Sequence, residues 1–392
     1  MKNSSKIILV LSLFGCANTP AIAQQKTDLE HLSYTVEEAP DWTNLFIRHS
    51  GWFGADGIYA IPLDGARNKS SSKSSKNMII FSDSMIGDIK DGKVQPGDKM
   101  VHNTVAYLKG DEPLNANISF NWAENAEGKP ESLFIPHTAT AKPGDYYWLG
   151  DGFVNQATHK TYIFAYRMHN MDSKDDWSFK QMAVDFIVLP KGSKAPFKDQ
   201  VQMETPLHYE SGTNKNSGSF GAGIFVNTKQ AGAPHPDGYI YVYGNRGRDL
   251  VVSRVRPADF ENFKAWRYWD GQAWNEDMQK AAPLTSGISD ELSFSPLPDG
   301  RYVLVFTLGG MSNDVAMRIA ASPVGPFGPP IKLYDARLTN SKYFHYNAKG
   351  HPSLSKPGEL LITYNQNSFD FWSQLVLNPN LYHPYFLRLK FK

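Results

Sequence analysis

Five short runs of apolar and aromatic residues recur along this chain, and they constrain its fold more than any other feature. Successive runs start roughly 60 to 80 residues apart, a spacing that suits four-stranded sheets with long loops. Each run is continuously apolar instead of alternating, which indicates a strand buried on both faces. The runs cover residues 78–83, 161–166, 239–244, 301–306 and 359–364.

Further apolar runs at 182–189, 250–255 and 317–321 follow three of these strands and are predicted to pair with them as hairpins. Long helical periodicity is nearly absent, and aromatic residues reach 13%, as is typical of β-rich proteins. The sequence therefore predicts an all-β protein, a single five-bladed β-propeller over residues 46–392. A β-sandwich array or two unrelated β domains would also fit the strands.

The N-terminus has the features of an export signal. Lys2 and Lys6 precede an apolar run at 7–15, which is too short to span a bilayer. Cleavage after Ala23 would define a signal peptide at 1–23 and leave an N-terminal extension at 24–45. Residues 13–16 instead resemble a lipobox, in which Cys16, the sole cysteine, would be lipidated. Both alternatives predict export to the periplasm, cell surface or medium without disulfides, and a membrane contact only through a lipid on Cys16.

The charge balance and the absence of several motifs exclude other classes of protein. A formal net charge of +1 argues against a nucleic-acid partner. The chain has no Cys-based zinc pattern, P-loop, Rossmann fingerprint or G-x-S-x-G motif. We therefore predict no cofactor and no catalytic metal, although the Asp-rich loops leave a structural Ca²⁺ open.

Acidic residues stand beside the predicted strands, where a propeller would direct them toward its axis. Asp56 lies between the small residues Ala55 and Gly57, Asp83 ends the first run, Asp151 lies between two glycines, and Glu291 precedes the fourth run. Cleavage of a glycosidic bond usually requires two carboxyl groups, so this pattern predicts a glycoside hydrolase. Asp151 and Glu291 are expected to be a supporting carboxylate and a reserve acid.

A second group of polar and aromatic residues is suited to binding sugars through hydroxyl hydrogen bonds and ring stacking. The group comprises His102, Asn103, Tyr243, Arg246, Asn347, His351 and Asn365. The same residues leave two alternatives open. One is a polysaccharide lyase with His102, His351 or Tyr243 as base and Arg246 neutralising a uronate. The other is a glycan-binding lipoprotein without catalytic activity.

Two polar stretches are predicted to be loops. Residues 67–76 are rich in Ser and Lys and indicate a flexible, solvated hairpin tip. Residues 211–223 are rich in Gly, Ser and Asn and suggest a loop at the rim of a pocket.

Several motifs resemble a bacterial family of secreted five-bladed propellers related to the endo-D-arabinanases. The likeness rests on residues 51–63, 81–87, 102–103, 148–154, 241–244, 266–271 and 346–352. Residues 320–327 are also similar to an outer strand of arabinanase- and fructosidase-type propellers. The resemblance implies that Asp56 and Asp83 are the catalytic acids. The Ser-rich stretch between them departs from the short turn of that family.

Overall fold

The computed structural model describes residues 27–171, 178–210, 217–337 and 340–392. The predicted signal at 1–23, with Cys16, lies outside the described residues, as does the 211–216 part of the predicted rim loop. The described chain is all-β apart from short helical segments, which confirms the predicted class.

Five antiparallel sheets of the described residues follow one another along the chain, and we number them 1 to 5. Sheet 1 contains Tyr59–Pro62, Lys76–Phe81, Thr104–Lys109 and Ile118–Asn121. Sheet 2 contains Asp145–Asn155, Lys160–Asn170, Phe179–Leu189 and Val201–Glu204. Sheet 3 contains Gly218–Asn227, Tyr239–Arg246, Asp249–Val255 and Arg267–Trp269, with His208–Tyr209, Trp274–Asn275 and Thr285–Ser286 at its edges. Sheet 4 contains Leu292–Pro296, Tyr302–Thr307, Asp314–Ala320 and Ile331–Asp335. Sheet 5 contains Tyr343–Gly350, Glu359–Ser368, Pro384–Phe391 and Tyr34–Glu38.

The remaining elements are short. A ladder next to sheet 1 contains Ser50–Ala55, Ser84–Lys90, Lys93–Val94 and Lys99–Val101, and a separate pair is formed by Ala123–Glu124 and Pro130–Glu131. The α-helices are Pro40–Leu45 and Phe371–Leu377. The 3-10 turns are Asn115–Asn117, Pro257–Asp259, Phe263–Ala265, Met278–Lys280 and Pro352–Leu354. Within the described ranges, no helix has the length and apolar character needed to span a bilayer.

All five apolar runs form the strand that follows the first long strand of a sheet, and each pairs with strands on both sides. The three hairpins predicted from the runs at 182–189, 250–255 and 317–321 are confirmed. The continuous apolar character of these runs follows from their position, because side chains on both faces of a central strand pack against neighbouring sheets.

Sheet 5 joins the two ends of the described chain. Its outer strand Tyr34–Glu38 pairs with the C-terminal strand Pro384–Phe391, in a register that places Tyr34 opposite Phe391. Part of the segment at 24–45, predicted as an extension, is therefore an integral strand of this sheet. The helix Pro40–Leu45 follows it, and the Trp42 ring stacks on Phe386 with centroids 5.6 Å apart.

Hydrophobic clusters join each sheet to the next and also join sheet 5 to sheet 1. Buried side chains of this kind account for most of the stability that a chain without disulfides can gain. Each cluster contains residues of two sheets, for example Ile80 and Ile163, Phe164 and Ile224, Phe225 and Phe294, Val303 and Leu387, and Phe386 and Phe81.

The Ser- and Lys-rich stretch at 67–76 is only partly the solvated hairpin tip that its composition predicts. The Arg67 guanidinium donates to the carbonyl oxygen of Gly152 at 2.6 Å and forms an ion pair with Asp151. The backbone N–H of the buried Ser71 donates to Ser355 O at 2.7 Å. The stretch thus connects sheet 1 to sheets 2 and 5, while its residues 69–70, 72–74 and 76 are exposed.

Candidate active site

Strand pairing next to sheet 1 is interrupted where Asp56 and Asp83 lie. Pairing stops at Ala55 opposite Ser84 and resumes at Tyr59 opposite Ile80. Across the gap, the Asp56 N–H donates to Asp83 O at 3.3 Å, and Ser82 N–H donates to Asp56 O at 2.9 Å. The interruption therefore holds the two acidic residues side by side.

Gly57 makes this interruption possible. Its φ of +63° lies in the left-handed region that favours glycine. A Cβ atom at this position would also lie 2.5 Å from the Ser82 hydroxyl. The close approach of the two backbones thus depends on the absence of a side chain at residue 57.

The Asp56 carboxyl lies in an environment that disfavours its charged form. Burial and the negative charges of Asp83 and Glu291 raise the pKa of Asp56 to about 8. The Tyr346 hydroxyl donates to Asp56 Oδ2 at 2.6 Å, and this bond, with a second from Tyr382, opposes part of the rise. At neutral pH, the Asp56 carboxyl is therefore protonated and lies beside two other acidic residues.

Asp83 lies in a more open position and has a histidine partner. Its Oδ1 atom is 2.8 Å from His102 Nδ1, and the two side chains are 18% and 36% exposed. The His102 ring stacks on Tyr146 with centroids 3.9 Å apart, and Trp148 lies edge-on to Tyr146 at 5.9 Å. A ligand that reaches Asp83 from solvent would thus meet an imidazole and an aromatic wall from sheet 2.

Glu291 enters the site from the beginning of sheet 4. Its Oε2 atom forms an ion pair with Lys349, whose side chain is 1% exposed, and Oε1 accepts from Asn347 Nδ2 at 3.0 Å. Burial raises the pKa of Glu291, and the Lys349 charge opposes that rise. The Lys349 ammonium also lies 4.4 Å from the centre of the Tyr59 ring. This lysine is therefore held between an acid and an aromatic face.

The sequence family is decided by a match over almost the whole described chain. Residues 40–391 match the model of the domain of unknown function DUF5005. The chain belongs to the DUF5005 family. None of the curated proteins matches this DUF5005 chain.

Several solved structures are similar to the DUF5005 chain at low sequence identity. A protein from Bacteroides ovatus ATCC 8483, provisionally described as a hydrolase, has a TM-score of 0.66 and 19% identity, with 90% of each chain covered. This likeness shows a common fold. An exo-β-1,3-galactanase from Phanerochaete chrysosporium has a TM-score of 0.46 and 10% identity over 86% of this chain and 60% of its own. A protein of unknown function from Dyadobacter fermentans DSM 18053 has a TM-score of 0.44 and 10% identity over 92% and 98%.

Two residues predicted for the DUF5005 site hold the structure together instead. The amide of the fully buried Asn103 donates to Phe134 O at 2.9 Å and accepts from Phe134 N at 2.7 Å. Asp151 is 1% exposed, pairs with Arg67 and accepts from Ile224 N at 2.8 Å. Because their polar atoms have protein partners in buried positions, neither side chain is available to a ligand.

Tyr243 and His351, two of the bases considered for a lyase, are also buried. Tyr243 stacks on Phe294 between sheets 3 and 4, and its hydroxyl donates to Pro323 O at 2.8 Å. His351 Nε2 lies 2.7 Å from Thr363 Oγ1, and burial lowers its pKa well below the usual range. Their surroundings give both residues packing roles, so only His102 of the three candidate bases reaches the site.

The remaining candidates lie at different distances from the acids. Asn347 bonds to Glu291, as described above, and Asn365 Nδ2 donates to Ala55 O at 3.1 Å, next to Asp56. Arg246 instead donates to Gln279 O at 3.3 Å, and its guanidinium lies 5.7 Å from the centre of the Tyr209 ring. Asn347 and Asn365 thus support the acidic cluster, whereas the contacts of Arg246 belong to sheet 3 and its following loop.

Three residues that contact the acids were not predicted as site residues. Tyr346 and Lys349 lie close to the predicted Asn347 in the sequence. Their position in the motif at 346–352 is the feature from which they could have been predicted as site residues. Tyr382 stands in no motif, lies just before the strand Pro384–Phe391 and forms a hydrogen bond with Asp56. Among the described residues, no group of three or more His, Cys, Asp or Glu side chains is arranged to hold a metal ion.

Proposed function

We propose that this chain is an exported glycoside hydrolase that cleaves glycosidic bonds in a polysaccharide or glycan. We further propose that sheets 1 to 5 are the blades of a single five-bladed propeller with the acids at its axis. The closed series of contacts between the sheets supports this arrangement. The observation that carries the function is the placement of two carboxyl groups side by side, with Asp56 hydrogen-bonded to Tyr346 and Asp83 partly open to solvent beside His102.

In this proposal Asp56 is the general acid. Its pKa of about 8 keeps the proton on the carboxyl at neutral pH. That proton passes to the glycosidic oxygen as the bond between this oxygen and the anomeric carbon breaks. The pKa of Asp56 is raised because burial, and to a lesser extent the two acidic neighbours, destabilise the anion.

Asp83 is the complementary carboxylate. It either removes a proton from the attacking water or attacks the anomeric carbon itself, and the separation of the reacting carboxyl oxygens decides between the two. His102 orients the Asp83 side chain through its 2.8 Å contact. Glu291 is fixed by Lys349 and contributes the negative charge that helps to raise the pKa of Asp56.

The charges around the acids support a hydrolase better than a lyase. A lyase acting on a uronate requires a cation to neutralise the sugar carboxylate, but Lys349 is paired with Glu291 and Arg67 with Asp151. Arg246 is engaged with Gln279 and Tyr209. The remaining acidic groups favour a neutral sugar, because a uronate would be repelled by Asp83.

The test is a set of three variants assayed on neutral and acidic polysaccharides. Asp56→Asn and Asp83→Asn are expected to lose at least about a hundredfold in activity, as is usual when a general acid or base is removed. Asp88→Asn is the matched control, because Asp88 is exposed on the strand that follows Asp83. Normal activity in both site variants would overturn the assignment of the acids.

The products distinguish the alternative functions. Hydrolysis releases reducing ends without an ultraviolet band, whereas elimination leaves an unsaturated sugar that absorbs. A glycan that is bound but left intact would identify a binding protein. Export is tested separately by locating the full-length protein in cell fractions.

A further inference from the structure

Large apolar side chains are exposed along one short stretch after the second strand of sheet 5. Phe369, Trp372, Val376 and Leu377 are 57%, 48%, 62% and 75% exposed. The stretch includes the helix Phe371–Leu377, whose buried side is held by Gln374 and Leu375. A concentration of exposed apolar surface of this kind marks a binding surface.

Two series of aromatic contacts connect the exposed rings to Asp56. In the first, Tyr346 bonds to Asp56, Phe344 lies 5.4 Å from Tyr346, and Phe369 lies 4.6 Å from Phe344. The exposed ring of Phe369 is therefore two ring contacts away from the residue that holds the Asp56 carboxyl.

The second series starts from the other tyrosine that bonds to Asp56. The Phe371 ring lies 5.0 Å from the Tyr382 ring, and the exposed Trp372 ring lies 5.0 Å from Phe371. Phe369 and Trp372 are thus each connected to a tyrosine that bonds to Asp56 through one intervening ring. We call these two exposed rings the aromatic shelf.

The shelf has the chemistry of a sugar-binding surface. Aromatic faces pack against the apolar C–H faces of sugar rings, while the hydroxyls of the sugar stay available for hydrogen bonds. Polar groups border the shelf, because Lys342 forms an ion pair with Asp370 at 2.5 Å and Asn340 Nδ2 donates to Gln374 Oε1 at 3.3 Å. Rings beside polar groups, connected to the acids, suit a glycan that continues beyond the cleaved bond.

We propose that the aromatic shelf is a binding subsite for further sugar units of a polymeric glycan whose scissile bond lies at Asp56. This inference rests on the proposed hydrolase function and extends it, because it makes a polymer, not a short glycoside, the preferred substrate. The adjacent Val376 and Leu377 have no aromatic face and are not part of the subsite.

The experiment compares the effect of removing the two rings with the effect of removing the neighbouring aliphatic side chains. The ring variant carries Phe369→Leu and Trp372→Leu, which keep apolar side chains but remove both aromatic faces. The control variant carries Val376→Ser and Leu377→Ser on the same helix. KM and kcat are measured on the cleaved polymer and on its shortest cleaved oligosaccharide, after melting curves confirm that both variants are folded.

The ring variant is expected to raise KM for the polymer by about tenfold, the effect of losing roughly two stacking contacts. The kinetic constants on the short substrate and all constants of the control variant are expected to stay unchanged. Equal losses in both variants, or no loss in the ring variant, would overturn the subsite. Vesicle binding or dimer formation that depends on Trp372 would also overturn it, because the rings would then serve a membrane or a second copy.

A binding assay keeps this result independent of catalysis. Asp56→Asn protein is run in native gels that contain soluble arabinan, galactan, mannan or xyloglucan, with and without the ring substitutions. Retardation that the ring variant abolishes supports the shelf even if the wild type cleaves none of these glycans, in which case the hydrolase proposal alone fails. Retardation that is unaffected by the ring variant, or no retardation in any gel, overturns the subsite.

Discussion

The hydroxyl of Tyr346 donates a 2.6 Å hydrogen bond to Oδ2 of Asp56, although 290 residues separate the two in the chain. This bond joins the last sheet to the interruption in the first strands. It stabilises the charged form of Asp56, so it acts against the burial and the acidic neighbours that raise the pKa of this carboxyl. The balance between these opposing effects sets the pH at which Asp56 loses its proton.

Substitution of Tyr346 by Phe should therefore move the alkaline limit of activity upward. Removal of a hydrogen bond to the carboxylate disfavours the anion, and we expect a shift of about half a pH unit or more. The measurement is the pH dependence of kcat/KM. Tyr334→Phe is the control, because the hydroxyl of Tyr334 bonds to Glu38 on an outer strand. An alkaline limb that stays in place or moves downward would contradict this assignment.

The pH dependence of stability gives a second prediction. The pKa of Asp56 is raised from 3.8 to about 8 on folding, so the folded protein binds more protons than the unfolded chain between these values. Stability from this group is therefore present at low pH and is lost as the pH rises toward 8. Relative to the wild type, the stability of Asp56→Asn should rise by about 1.4 kcal/mol per pH unit between these two pKa values, or on the order of 4 kcal/mol from pH 5 to pH 9. Urea unfolding at both pH values measures the difference, and parallel curves would contradict it.

The ion pair of Arg67 and Asp151 predicts that the Ser-rich stretch stabilises the fold. Arg67→Met leaves the Asp151 carboxylate, which is 1% exposed, without its cation and should cost about 3 kcal/mol or more. Adding Asp151→Asn removes the unpaired charge and should restore part of that loss. Lys73→Met is the control from the exposed part of the same stretch. Equal stability of the single and double variants, measured by urea unfolding, would argue against a buried charge pair.

The absence of a side chain at Gly54 lets the backbone at Tyr382 lie close to the strand that leads to Asp56. A Cβ atom at this position would lie 2.1 Å from the carbonyl oxygen of Tyr382, so Gly54→Ala must displace the backbone beside Asp56. We expect a loss of at least about 2 kcal/mol and a large loss of activity. Gly92→Ala is the control, because its Cβ would meet nothing within 4 Å and only its φ of +70° is strained. The control should cost about 1 kcal/mol, and a similar cost at Gly54 would disprove the contact.

The strands of this fold could be predicted from sequence because their signal is local. A strand buried on both faces must be apolar throughout, so the five runs indicated its position without information about its neighbours. The pairing of Tyr34 with Phe391 had no such signal, because register between the two ends of a chain depends on contacts that only the folded structure provides. For the same reason, residues 24–45 were predicted as an extension.

The composition of the stretch at 67–76 led to an expectation that holds for only part of it, for a related reason. Serine and lysine are usually solvated, but hydroxyl and guanidinium groups can also bond to the backbone of neighbouring sheets, as Ser71 and Arg67 do. Sequence does not distinguish these two outcomes.

The site was predictable only for residues next to glycine or at the ends of runs. Asp56 and Asp83 have this signal, and the structure brings them together. Tyr243 and His351 also stand next to glycine, but both are buried and form hydrogen bonds within the core. A buried tyrosine or histidine needs such a partner whether or not it is catalytic, so the sequence does not separate the two cases. Tyr382 was missed because no local pattern marks a residue whose role is to reach across to another sheet.

The proposed role of Asp56 as general acid depends on its protonation at neutral pH, which carboxyl titration by NMR measures. Protein labelled with ¹³C at the aspartate carboxyls would be titrated from about pH 3 to pH 10, with the Asp56→Asn variant used to assign the signal. We predict a midpoint of about 8 for Asp56. A midpoint near the ordinary value of about 4 would mean that Asp56 is ionised at pH 7 and has no proton to donate, which would contradict the account.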